Sequence, residues 1–361
     1  MRHAMLAALI ALTFVVPVLA KDPVSPLDHK QLLSYDDGGK LQPVRTPADW
    51  ARRRQQILAG FEQAIGPLPD RTKLPPLDIK IVEEVQEGDV LRQSISFHSR
   101  NGERVTAYLW IPKRNGTERR AGILALHPTG AIGKGIVAGY GKANRQYGTE
   151  LAQRGYVVLA PDYVSFGGMT DHDFAKDDYV SGTMKGIFDH MRCVDLLVAR
   201  DDVDGEHIAA IGHSLGGHNS IFVGVYDQRI KAVVSSCGWC PFHDYYAGKI
   251  AGWTSDRYMP ALRDKYELNP DRVPFDFYEL VGALAPRGFL SVSPLRDSNF
   301  DYKGVQKAIP EAAKVYELLG AKDQLQVRYP DCEHDFPDDM RREAYRFLDQ
   351  QLKHKPAREV P

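Results

Sequence analysis

The sequence predicts an α/β fold: a mostly parallel, eight-stranded sheet with helices on both faces and an aromatic cap inserted between two strands. Three observations carry this. From Gly122 onward, short apolar runs alternate with helical stretches, the pattern of parallel strands buried on both faces. The run Ile208-Ala209-Ala210-Ile211 leads into Gly212-His213-Ser214-Leu215-Gly216 and then another apolar stretch, which puts a serine at a sharp strand-to-helix turn. Residues 237–280 are dense in rings, among them Trp239, Tyr245, Tyr246, Trp253, Tyr258 and Tyr266.

Residues 1–20 read as a signal peptide. Arg2 and His3 precede the apolar run Ala4 to Val16, and Pro17-Val18-Leu19-Ala20 ends in small residues, with cleavage expected after Ala20. The run is short for a membrane span, Lys21 and Asp22 follow at once, and no cysteine at the cleavage point offers a lipid anchor. An exported protein, periplasmic or extracellular and without a membrane anchor, is expected. Its 46 basic and 47 acidic residues nearly balance, which argues against nucleic acid or an anionic membrane as the main partner.

Residues 21–84 form an N-terminal arm packing on the main domain. Its helix is Pro47 to Ile65, with Trp50, Ile57, Leu58, Phe61 and Ile65 near helical spacing and Gly66-Pro67 as the stop. Residues 85–355 form the catalytic domain. Leu91 to Phe97 and Val105 to Ile111 read as an edge hairpin turning at Arg100-Asn101-Gly102. The further strands are Gly122 to His127, Tyr156 to Ala160, the run before Ser214, Ile230 to Ser235, Phe289 to Val292 and Leu325 to Tyr329. Helices are expected at Lys142 to Arg154, Tyr179 to Arg200, after Ser214, at Lys303 to Leu319 and at Phe336 to Leu352. Ligands of such sheets bind beyond the carboxyl ends of the strands, so the chemistry belongs in those loops.

Those loops offer what a serine nucleophile needs. A serine N-cap on a tight turn would not require glycine on both sides; a strained turn presenting Ser214 does. The base is His334, in Asp331-Cys332-Glu333-His334-Asp335-Phe336 after the last strand. His213 and His218 are too close along the chain to face the serine hydroxyl, and His127 supports the loop after its own strand. Asp297, after the strand ending at Val292, is the acid, with Asp301 as its rival. The oxyanion donors are the backbone N–H of Leu215 and that of Thr129, since Pro128 has none. The glycines of Gly130-Ala131-Ile132-Gly133-Lys134-Gly135 match neither a dinucleotide nor a P-loop spacing, so no cofactor is expected. No metal is expected either: of Cys193, Cys237, Cys240 and Cys332 only one pair is close, and Cys237-Gly238-Trp239-Cys240 reads as a local disulfide or two buried thiols. The cap mixes its rings with Asp244, Lys249, Asp256, Arg257, Arg263 and Asp264, a lining suited to a polar ring substrate; Trp239 and Trp253 are the candidate binding rings.

From about residue 45 to 352 the chain resembles an α/β-hydrolase. It is similar to secreted bacterial esterases of the dienelactone hydrolase and acetyl xylan esterase type. The resemblance rests on Trp50-Ala51-Arg52-Arg53-Arg54, Leu126-His127-Pro128-Thr129-Gly130, Ala160-Pro161-Asp162-Tyr163, Val203-Asp204 and the positions of Ser214, Asp297 and His334. Dienelactone hydrolases proper use cysteine where this chain has Ser214. The residue after the serine is glutamine in acetyl xylan esterases of the deacetylase type and arginine in glucuronoyl esterases, against Leu215 in this chain. The resemblance implies a serine carboxylic-ester hydrolase acting on a short acyl or carbohydrate-linked ester through an acyl-enzyme. Two other readings stand beside it. One is a prolyl oligopeptidase type peptidase, whose β-propeller would need hundreds more residues. The other is an inactive hydrolase fold used for binding.

Overall fold

A computed structural model describes residues 28–100, 102–113 and 118–360. The signal peptide read at residues 1–20 and Asn101 of the hairpin turn lie outside them. The chain runs through β1 (Ser34–Asp37), β2 (Lys40–Pro43), α1 (Pro47–Ile65), β3 (Lys80–Glu87), β4 (Val90–His98), β5 (Arg104–Pro112) and β6 (Arg120–Leu126). It continues with α2 (Tyr147–Gln153), β7 (Val157–Pro161), α3 (Gly182–Val198), β8 (Val203–His213), α4 (Leu215–Tyr226) and β9 (Ile230–Ser236). The cap carries α5 (Ala261–Asp264) and α6 (Phe277–Leu284), followed by β10 (Gly288–Val292), α7 (Tyr302–Leu318), β11 (Leu325–Arg328) and α8 (Asp338–Gln351).

Among the described residues the main sheet has nine strands in the order β11-β10-β9-β8-β6-β7-β5-β4-β3, one more than the sequence suggests. The six strands from β11 to β7 pair in parallel, and β5, β4 and β3 join antiparallel. The ninth strand is β3, at the edge. Six of its eight residues are exposed and none is buried, so it carries no alternation of apolar and polar residues to betray it. The boundary drawn at 84/85 falls inside this strand, and the end of the arm is thus part of the main sheet. The residues of β6 to β10 that face the two sides feed separate cores. One is covered by α1, α3, α4, α6 and α7, the other by α2 and α8.

Helix α1 has the predicted ends. Thr46 and Asp49 form a capping box, with Asp49 N–H donating to Thr46 Oγ1 at 3.2 Å and Thr46 N–H to Asp49 Oδ2 at 3.0 Å, and Pro47 opens the helix. Its buried face holds the arm on the cap. Phe61 packs 5.0 Å from Phe222 and 4.6 Å from Phe275, the Arg53 guanidinium pairs with Glu279 of α6, and Arg54 donates to the Ala283 carbonyl at 3.0 Å. Helix α2 is shorter than expected and begins at Tyr147 rather than Lys142. Asn144 has φ of +64°, which ends any helix there, and residues 144–145 turn instead toward the loop that carries His334. Among the described residues no helix is long and apolar enough to cross a membrane.

Candidate active site

Ser214 stands at the end of β8 with φ of +55° and ψ of −118°, a conformation that a side-chain-bearing residue keeps only when its surroundings enforce it. Its N–H donates to the Ser236 carbonyl at 2.8 Å, and its own carbonyl accepts from Gly217 at 2.9 Å and His218 at 3.2 Å. The two glycines of the motif are sterically fixed. A Cβ on Gly212 would lie 2.1 Å from the Gly216 carbonyl oxygen, and one on Gly216 would lie 1.9 Å from the Leu126 oxygen. The first turn of α4 therefore presses on the end of β6, beside the loop that begins at His127. The Ser214 residue is partly exposed, and its hydroxyl has no hydrogen-bond partner among the described residues.

His334 and Asp297 meet. Nδ1 of the imidazole lies 2.9 and 3.0 Å from the two Asp297 carboxylate oxygens. The Asp297 side chain is fully buried and that of His334 is 24% exposed. The same carboxylate accepts N–H bonds from Asn299 at 2.8 Å and Phe300 at 3.2 Å, which fixes its plane. With Nδ1–H on Asp297, Nε2 is the lone-pair nitrogen. The ring is stacked on Phe300, with centroids 6.1 Å apart. Asp301 lies elsewhere: it caps α7, accepting the Lys303 N–H at 2.9 Å.

The loop around His334 is clamped by a residue the sequence reading did not single out. Arg145 donates to the His334 carbonyl at 3.0 Å and ion-pairs with Asp335, which also accepts from Asn144 Nδ2 at 2.8 Å. Partial burial works against the Asp335 charge, but these donors outweigh it and hold the carboxyl below its ordinary range. His213, beneath the site, is kept neutral: burial and the nearby Arg145 drive its pKa well below the usual value. His213, Cys237 and His334 bring ligand-type atoms within 4.8 Å of one another. Two of those groups are already engaged, since Asp297 holds His334 Nδ1 and the Asp335 carbonyl accepts the Cys237 thiol at 3.2 Å.

The two expected oxyanion donors lie on the two elements that meet where Gly216 presses on Leu126. Leu215 is the first residue of α4, and Thr129 follows the end of β6; neither N–H has an acceptor among the described residues. His127 sets the orientation of the second. The Tyr163 N–H donates to its Nε2 at 2.9 Å, so Nδ1 bears the proton and donates to the Pro128 carbonyl at 2.7 Å. In a trans peptide the N–H opposes the C=O, so the Thr129 N–H points away from His127. The buried Asp162 ties the neighbouring loops together. It accepts from Lys134 N–H at 2.8 Å, Gly168 N–H at 2.9 Å and Thr106 Oγ1 at 2.6 Å, and pairs with the Lys134 ammonium. Its only sequence signal was its place just after a buried strand, in Ala160-Pro161-Asp162-Tyr163.

The candidate binding rings do not line an opening. Trp239 is 1% exposed, donates its indole N–H to Ser291 Oγ at 3.0 Å and stacks on Phe277. Trp253 is 3% exposed among His218, Tyr245, Phe277 and Phe300. Both are core residues, because the cap closes on itself with its largest rings inward. The four cysteines are free thiols; burial pushes those of Cys237 and Cys240 far up, so they are unreactive.

Comparison with known proteins agrees with this architecture. The family model described as the prolyl oligopeptidase family matches residues 144–355. "Putative hydrolase YtaP" of Bacillus subtilis (strain 168) is 28% identical over 318 residues, covering 84% of this chain and 99% of that protein. "Carbohydrate esterase MZ0003", from an unknown prokaryotic organism, is 23% identical over 338 residues, 83% of this chain and 73% of its own. A glucuronoyl esterase from Solibacter usitatus has a solved structure that aligns with a TM-score of 0.72 at 19% identity, over 91% of this chain and 99% of its own, a likeness of fold. With more than half of its length matched, the chain is an α/β-hydrolase that belongs to the prolyl oligopeptidase family.

Proposed function

We propose that the protein is a serine carboxylic-ester hydrolase acting on short acyl or carbohydrate-linked esters. Ser214 Oγ attacks the ester carbonyl while His334 Nε2 takes its proton. The oxyanion that forms is held by the N–H groups of Leu215 and Thr129. His334 then protonates the departing alcohol, and a water activated by the same imidazole releases the acid from the acyl-enzyme. Asp297 holds the imidazole in the needed tautomer and balances its charge. The observation that carries this reading is the Asp297–His334 pair on two loops of the sheet end where the Ser214 turn emerges. A carbohydrate esterase among the relatives supports the substrate class. The signal read at residues 1–20 supports action outside the cytoplasm, and the N-terminal residue of exported protein, expected to be Lys21, tests that.

The family match favours a second reading, peptide-bond hydrolysis. A fluorophosphonate probe should label the wild type but not S214A. A panel of p-nitrophenyl esters, acetylated sugars, methyl uronates and dipeptidyl p-nitroanilides then separates the two activities. Turnover of esters with acetate ahead of long chains is expected; turnover of the anilides alone would make the protein a peptidase, and failure of the probe to label Ser214 would leave a binding module.

A further inference from the structure

The charges of the cap divide into those paired with a neighbour, those standing in solvent, and one that is half-buried without a partner. Arg263 is paired with Asp264 at 2.6 Å and Asp244 with Lys307 at 2.5 Å, while Lys249 and Asp256 stand in solvent. Arg257 is half-buried, yet its guanidinium has neither an ion pair nor a hydrogen bond among the described residues. It lies 4.5 Å over the ring of Phe166. A guanidinium brings five N–H donors in a planar fork that matches a carboxylate; all five are idle here.

Its position is fixed by backbone on both sides. The Gly182 N–H donates to the Asp256 carbonyl at 2.9 Å, the Thr183 N–H to that of Tyr258 at 3.1 Å, and Tyr163 Oη to that of Arg257 at 2.6 Å. The start of α3 is pressed against this segment so closely that a Cβ on Gly182 would lie 2.5 Å from the Arg257 carbonyl. Phe166 stands edge-on to His127 at 5.9 Å, beside the Thr129 loop, and Tyr258 stands edge-on to His218, in the first turn of α4, at 6.5 Å. Arg257 and Tyr258 thus bridge the two elements that flank Ser214.

We propose that Arg257 reads a carboxylate on the substrate, so that the preferred ester carries an anionic group besides its scissile bond. This rests on the esterase reading of the same site. The carboxylate is on either the sugar or the acyl part, and two matched pairs distinguish them: acetylated glucuronic acid against acetylated glucose, and 4-nitrophenyl hemiglutarate against 4-nitrophenyl valerate. In one pair the wild type should favour the anion in kcat/KM, and R257Q should lower the anion's value about tenfold to a hundredfold more than the neutral partner's. R257K, a point charge without the fork, should restore part of the difference, and high salt should narrow it. No preference for the anion in either pair, or equal losses on both partners in R257Q, overturns the assignment. Calorimetric binding of glucuronate and glutarate to S214A, with and without R257Q, is independent of turnover. Arg257-dependent binding in a protein that cleaves no ester would uphold the carboxylate site and sink the esterase. Ester hydrolysis indifferent to charge would do the reverse.

Discussion

The serine turn and the cap are both tightly packed, by different means. At the turn, backbone meets backbone: Gly212 against Gly216 and Gly216 against Leu126, at distances that leave no space for a methyl group. In the cap, ring meets ring: Trp253 lies within 4.7 Å of His218, 5.5 Å of Tyr245 and 5.6 Å of Phe277, centroid to centroid. Backbone contact dictates the residue at each position, because only glycine fits. Ring packing asks only for volume and flatness, so any of a dozen aromatics satisfies it without revealing which side faces solvent.

The sharpest test of that contrast is at the turn itself. S214A should lose about six orders of magnitude in esterase turnover with its fold intact by circular dichroism. Retention of more than about a hundredth of the rate would move the chemistry elsewhere. D297N comes next: with the carboxylate no longer fixing the tautomer, turnover should drop by up to about ten-thousand-fold. D301N should leave both turnover and stability nearly unchanged, since an Asn caps a helix about as well as an Asp, and the opposite ranking in kcat would reassign the acid.

Changes in the cap should show in stability instead. W239A removes a fully buried indole and should cost about 3–5 kcal/mol in urea unfolding, with equal fractional effects on a sugar ester and on p-nitrophenyl acetate. A rise in KM confined to the sugar ester would return the ring to the binding surface. The link between arm and cap should respond to pH. His29 Nδ1 lies 2.8 Å from Glu279, beside Asp276 and Arg53. Burial opposes its charge, but Glu279 and Asp276 prevail and raise its pKa to about 9. A histidine raised in the folded state stabilises fully below its unfolded value of about 6.5. That contribution, about 3 kcal/mol, is lost as pH rises through about 9. H29Q should flatten stability between those limits; an unchanged slope would show that the pair does not anchor the arm.

Much of this protein was legible in its sequence. Alternating apolar strands and helices gave the sheet covered on both faces, and helical spacing with the Gly66-Pro67 stop gave helix α1 to the residue, because burial leaves periodic marks. The Ser214 turn was legible because its constraints are local in the chain. Asp297 and Asp301 were not separable that way: four residues apart after the same strand, they differ only in which of them the loop folds toward His334 and which opens α7. Strand β3, with no buried residue, left no hydrophobic period and exists because β4 offers it a free edge. Arg145, Asp162 and Arg257 acquire meaning only from partners far along the chain, or from the lack of one. The sequence alone determined the class of fold and the residue types of the site. Tertiary packing decided which carboxylate meets the histidine, which rings are core and which cation stays unpaired, since those depend on contacts between segments that no local spacing records.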